Sequence, residues 1–365
     1  MQRISRVTRV YPGFDLLRIL AAGGVVFSHA FLIMELTEAG EPLKAATGTI
    51  LGLYAVMIFF ILSGFLVTDS ALRSQGVLDF AAKRARRLLP GFLAANLIVA
   101  LAICPLFATE GAMAFLGQPV PWETLGRVLL LQDPSLTFPG RVSFFPAEGD
   151  AAWVAAVANG VLWTIRIEIT CYLVVGLLLL VGMLTRGAVL ALICAAVFAT
   201  LTPAFYVSDY LNCLIYLGPS FAAGMALRLL LPEGHRADGR IAAASAAILG
   251  VLMLKMGGWR EVEGLLFPLF AAYPLIWFGQ QERARLGALG RFGDPSYGMY
   301  LWGWPVQMLL RALVGPGWSG WAFAALSLPA ALAVGWLSWI LVERRFLRRR
   351  PPGASYRVGT GVSPR

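Results

Sequence analysis

Charge is what this sequence has least of. Asp, Glu, Lys and Arg make up 14% of its 365 residues, where a soluble globular protein carries about 25%. Hydrophobic residues fill 58% of the chain and mean hydropathy is +0.73. That deficit excludes a soluble enzyme, a disordered regulator and a disulfide-stapled secreted domain. Histidine is scarce too, with only His29 and His235. The four cysteines, Cys104, Cys171, Cys194 and Cys213, sit in apolar runs with no CxxC spacing and no histidine nearby. They read as buried, unreactive thiols, so neither a metal cage nor a disulfide framework is expected.

What is present is a series of stretches free of Asp, Glu, Lys and Arg. They run Ile19–Met34, Ala45–Thr68, Leu88–Thr109, Ile169–Thr185, Gly187–Ser208, Tyr210–Leu227, Ile241–Leu254, Gly264–Gln281, Pro295–Leu310 and Ala312–Val342. A bilayer-crossing helix needs about 20 mostly apolar residues, and such continuous runs do not suit barrel strands. The expected fold is therefore an all-α polytopic membrane protein of ten transmembrane helices. Residues 1–350 form the membrane domain and 351–365 a short polar tail.

The net charge of +10 is explained by position. With the N-terminus inside, 22 of the 30 Lys and Arg fall in inner segments and 6 in outer ones, while Arg18 and Arg166 lie within spans. Alternation of this kind places both termini in the cytoplasm. It also removes the case for a nucleic-acid partner, since the basic excess is topological. The start resembles a signal peptide, but Ser28-His29-Ala30 lacks the cleavage pattern, and a retained first helix is expected. Between Thr109 and Gly160 lies the longest outer segment, in which Leu125–Leu131 and Ala151–Ala158 are expected to form short helices against the bundle.

Ionisable groups inside spans are costly and mark functional sites. Arg18 and His29 are eleven residues apart. At ~100° per residue this brings both onto one helix face, separated by about 16 Å along the axis. Arg18 falls near the inner surface and His29 toward the outer half. The bland alternatives are a snorkelling anchor paired with Asp15 and a buried imidazole bonding a neighbouring helix. Glu168, on a helix expected to start after Asn159-Gly160, falls at a depth similar to that of His29 and is expected in the same layer. Arg166, two residues away, cannot share its face. His235 reads as a solvated loop residue. The segment Phe80–Phe92, FAAKRARRLLPGF, gathers four cations in an inner loop ahead of Pro90. Arg84 and Arg87 share a face if that loop is helical, and guanidinium forks suit multiply charged phosphates.

The segments GFDLLRILAAGGVVFSHAF, YAVMIFFILSGFLV, RRLLPGF, LWTIRIEITCYL and SYGMYLWGWPV occur in this order. Together they resemble the integral-membrane acyltransferase family 3, from about Phe14 to Arg345, and within it the exopolysaccharide and O-antigen O-acetyltransferases; WTIRIEITCYL is particularly similar to the exopolysaccharide acetyltransferases. The resemblance implies transfer of an acyl group, usually acetyl, from cytoplasmic acetyl-CoA to a surface polysaccharide or lipid-linked glycan at the bacterial inner membrane. It implies His29 as catalytic base, Glu168 as the acidic partner that orients the imidazole or bonds the acceptor, and Arg18, Arg84 and Arg87 as the groups that hold CoA phosphates. No metal is expected. Two departures stand out: Gly303 occupies a position where many members carry histidine, and Met57 one that is often acidic. The residues after Arg345 are too few for the soluble domain fused in some members, so acceptor delivery is expected to use the membrane part or separate glycan-assembly proteins. The rival expectation is a secondary transporter or flippase for a sugar or lipid-linked sugar, because intramembrane His, Glu and Arg also build proton relays.

Overall fold

The structure is a computed structural model of the chain, and it describes residues 12–202, 207–231, 236–256, 260–281 and 293–347. Each of the ten apolar runs coincides with a helix. These are α1 (Pro12–Glu35), α3 (Leu51–Leu72), α4 (Val77–Ile98), α8 (Trp163–Leu180), α9 (Arg186–Thr200), α10 (Asp209–Leu230), α11 (Gly239–Met256), α12 (Arg260–Gly279), α13 (Ser296–Val314) and α14 (Gly320–Ser338). A π turn and a 3-10 turn carry α4 on to Phe107, and a π turn joins α14 to the short α15 (Arg344–Phe346). Among the described residues, α1, α3, α4, α8, α10 and α14 are long and apolar enough to cross a membrane, whereas α9 and the Glu263–Gly279 part of α12 are apolar but shorter. The protein is a multi-pass helical membrane protein.

The outward faces fit that setting. Leu173, Leu177 and Leu180 on α8, and Leu190 and Phe198 on α9, are more than half exposed. Acyl chains satisfy such surfaces, while the helix satisfies its own backbone internally. At the centre, α1 packs against α3 on one side and against α13 and α14 on another, and α10 lies between α3 and α12. Small residues set the closest approaches. A Cβ added at Gly64 would strike the Phe221 carbonyl, and one added at Gly224 would strike the Ile61 carbonyl. In lipid, helices gain little from burying more apolar surface, so close backbone packing at such residues holds the pair together.

Three expectations are corrected. Residues 80–87 are not a loop, because α4 begins at Val77 and takes Pro90 into its interior. The ring removes one N–H from the ladder at that point, and the helix continues. The outer segment holds α5 (Ala112–Leu116), α6 (Pro119–Leu129) and α7 (Ala152–Ala156), together with an antiparallel ribbon of β1 (Leu136–Thr137) and β2 (Val157–Asn159). Ala151–Ala158 is therefore helix and then strand. Cys104 and Cys171 are buried as expected, but Cys194 is exposed on α9. The tail 351–365, several of the counted inner cations and His235 lie outside the described residues.

Between α1 and α3, the short α2 (Pro42–Thr47) is fixed by a buried carboxylate. Glu41 caps it by accepting from the Lys44 amide at 2.6 Å, and also accepts from the Leu51 amide at 3.2 Å and the Ser28 hydroxyl at 3.3 Å. The same Ser28 hydroxyl accepts from the Gly52 amide at 2.6 Å. This connection locks the outer half of α1, one residue before His29, against the start of α3.

Candidate active site

Two cavities meet inside the bundle. The one at the Arg18 end of α1, inner in the expected topology, is about 510 Å³ and is bordered by six cations, Arg18, Arg73, Lys83, Arg84, Arg86 and Arg87, against one carboxylate, Glu168. The outer one, about 410 Å³, is lined by His29, Glu38 and Ser135 together with Trp153, Trp163 and Trp304. Val56 and Tyr300 line both cavities. They form the partition between a cationic vestibule at the Arg18 end of α1 and an aromatic chamber at its His29 end.

The cations of the inner cavity differ in how fully they are engaged. Asp294, just ahead of α13, bridges two of them: it pairs with Arg18 at 3.5 Å and with Arg87. Burial by itself would raise the Asp294 carboxyl, but the Arg87 guanidinium, then that of Arg18, outweighs it and holds the group at about 2. Asp69, buried on α3, pairs with Arg73 and with Arg228, the latter at 2.7 Å. Lys83 pairs with Asp79 at 2.6 Å. Arg84 has no carboxylate partner among the described residues. It donates to the Ser70 hydroxyl at 3.2 Å, and its Nε is buried without a partner. A half-buried guanidinium left in this state, facing a cavity, is a ready receptor for an anion.

Above this rim the wall becomes hydroxylic. Glu168 accepts from Ser63 at 3.1 Å and from the Tyr172 hydroxyl. At the partition, the Tyr300 and Thr164 hydroxyls bond at 2.6 Å, and Tyr300 also donates to the Val161 carbonyl at 3.1 Å. In the outer chamber the His29 ring meets Trp304 edge to face, with centroids 4.9 Å apart. Trp304 is itself tied down by its indole N–H to the Val157 carbonyl at 2.8 Å. His29 Nδ1 is buried and has no hydrogen-bond partner among the described residues.

The structure thus gathers Arg18, Arg84, Arg87 and Glu168 at the inner cavity and His29 at the outer one. It does not bring Glu168 to His29. The two open on different cavities, and Glu168 is engaged by Ser63 and Tyr172. Similar depths, estimated from helix starts, could not fix which way each helix is turned. Arg18 pairs with Asp294, and Arg166 lies 5.0 Å over the Tyr210 ring, outside both cavities. Sequence reasoning missed Asp294, Ser63, Tyr172, Val56 and Tyr300. Only Asp294 carried a usable signal, as an acid just ahead of an apolar run in a segment otherwise rich in arginine.

The profile of the acyltransferase domain, family 3, matches residues 11–340. The chain belongs to this family. It is 25% identical over 359 residues to the O-acetyl transferase of Shigella phage Sf6, covering 94% of this chain and 98% of that protein. It is 27% identical over 364 residues to Nodulation protein 10 of Rhizobium leguminosarum bv. viciae, covering 92% and 93%. It is 28% identical over 330 residues to the exopolysaccharide production protein ExoZ of Rhizobium meliloti (strain 1021), covering 86% and 95%. No solved structure matches the chain. The chain is a membrane O-acyltransferase, which sets aside the transporter alternative. Within this family frame, Gly303 has a packing reason: a Cβ there would lie 2.7 Å from Val26, so the position is pressed against α1.

Proposed function

We propose that the enzyme moves an acyl group, acetyl in the first instance, from cytoplasmic acyl-CoA to a hydroxyl of a surface polysaccharide or lipid-linked glycan. It would do so from the bacterial cytoplasmic membrane, with ten crossings and both termini inside. The observation that carries this reading is the pair of cavities sharing Val56 and Tyr300, one rimmed by cations and the other holding His29. A donor with a phosphorylated head and a thin acyl-bearing arm fits that arrangement. The names of the phage and exopolysaccharide relatives support the acetyl group and the glycan.

In this mechanism Arg84, Arg87 and Arg18 hold the phosphates, with Asp294 keeping the last two guanidiniums in place. The arm runs past Ser63, Tyr172 and Glu168, whose oxygens offer bonds to its amides. Glu168 therefore serves the donor side and does not orient the imidazole. The thioester reaches the Val56–Tyr300 partition. Neutral His29 takes the proton of the acceptor hydroxyl as that oxygen attacks the thioester carbonyl. The C–O bond forms, the C–S bond breaks, and the imidazolium returns its proton to the departing thiolate. General-base catalysis of this kind contributes about 10²–10⁴ in rate. Proteins that assemble the glycan would deliver the acceptor.

His29→Ala tests the assignment. Acyl transfer should fall by at least that factor while insertion and abundance stay unchanged. Wild-type acylation by a correctly inserted variant would overturn it.

A further inference from the structure

The outer chamber holds more aromatic surface than a proton transfer needs. Trp304 is fixed by its bond to Val157, by His29 and by close packing on Gly160, where an added Cβ would lie 3.1 Å from the indole ring. Trp153 and Trp163 have no such ties. Trp153, on α7, is 54% exposed, and Trp163, in the first turn of α8, is half-buried. Neither indole N–H has a hydrogen-bond partner among the described residues, yet both rings line the cavity that contains His29. Tryptophans that only anchor a protein at the interface turn toward lipid headgroups, whereas these two border the cavity that contains His29.

An indole offers a flat, electron-rich face and one N–H donor. The C–H face of a pyranose ring complements the first, and a ring hydroxyl the second. The chamber's volume of about 410 Å³ falls within the usual range for small-ligand pockets. Ser135 and Glu38 supply polar groups at its wall.

We propose that Trp153 and Trp163 form an acceptor subsite that holds one hexopyranose ring of the glycan and presents its hydroxyl to His29. The subsite rests on the acyl-transfer reading above and names the chemistry it acts on. It also assigns the outer segment a specificity role, because α7 and β2 carry Trp153 and the turn into α8 to the chamber.

The test uses the purified full-length protein in detergent and two probes from cells lacking the gene, their unacylated surface polysaccharide and their lipid-linked glycan extract. Binding is read by tryptophan fluorescence and by labelled-glycan retention. Wild type should bind at least one probe, and the stronger of the two identifies the source. Trp153→Ala and Trp163→Ala should each weaken that binding by about tenfold, the scale of one lost aromatic contact, and Trp→Phe at either position should restore most of it. His29→Ala should keep binding and lose turnover. Undiminished binding by folded Ala variants, or no binding of either probe by wild type, would overturn the subsite. Undiminished turnover by His29→Ala would overturn the parent reading instead.

Discussion

Arg84 offers the sharpest test of how the donor is held. The other cations of the vestibule with recorded carboxylate partners are held by Asp294, Asp69 or Asp79, so removing one of them strands a carboxylate and confounds binding with stability. Arg84 strands none, because its recorded bond is to the Ser70 hydroxyl at 3.2 Å. Its Nε, buried and unpartnered, is a donor the folded chain has left unused. A hydrogen bond to a charged group contributes about 1.5–3 kcal/mol, which is about 10- to 150-fold in an equilibrium constant. Arg84→Ala should therefore raise KM for acetyl-CoA by that range, with kcat within about threefold, since a contact made equally in ground and transition states acts on KM. The assay is thiol release by purified enzyme over a series of acetyl-CoA concentrations at saturating acceptor. Arg84→Lys should recover only part of the loss, because an ammonium cannot present the guanidinium fork. The KM ratio between wild type and Arg84→Ala should shrink with added salt. An unchanged KM in a folded Arg84→Ala protein would refute the clamp.

Other outcomes follow from packing and charge. Gly224→Ala drives a Cβ into the Ile61 carbonyl of α3, whereas Gly250 on α11 has open space around it. Overpacking at the first should cost about 1–3 kcal/mol, and the second should gain up to about 1 kcal/mol of helix propensity, both read from unfolding temperatures in detergent. The Asp294 carboxyl, held at about 2 in the fold against about 3.9 in an unfolded chain, stabilises the protein above the unfolded value. That contribution disappears as pH falls toward 2. The gap in unfolding temperature between wild type and Asp294→Asn should therefore be constant from pH 7 to about 5 and close below pH 4. A gap as wide at pH 2.5 as at pH 7 would contradict the shared role of Arg18 and Arg87.

Much of this enzyme was legible residue by residue. Hydropathy alone located the helices that coincide with the apolar runs, because a membrane helix satisfies its backbone internally and leaves an apolar run as its trace. The period of one helix put Arg18 and His29 on a common face, and the motif order identified the family. The errors lay where a local rule met tertiary context. The segment ahead of Pro90 reads as a loop, yet the turns before the proline are helical because Leu88 and Phe92, on either side of it, are buried in the core.

The sequence by itself determined the membrane class, the family, and which groups on each helix face the same way. Only the tertiary structure decided which helices share a wall. Asp294 reaches Arg87 across 207 residues, Glu168 turns to Ser63 and Tyr172 in place of His29, and Val56 and Tyr300 line both cavities. Rotation and depth of one helix against the next are set by small-residue contacts and buried polar pairs. In a bilayer, lipid and protein surfaces are equally apolar, so hydropathy carries no information about them.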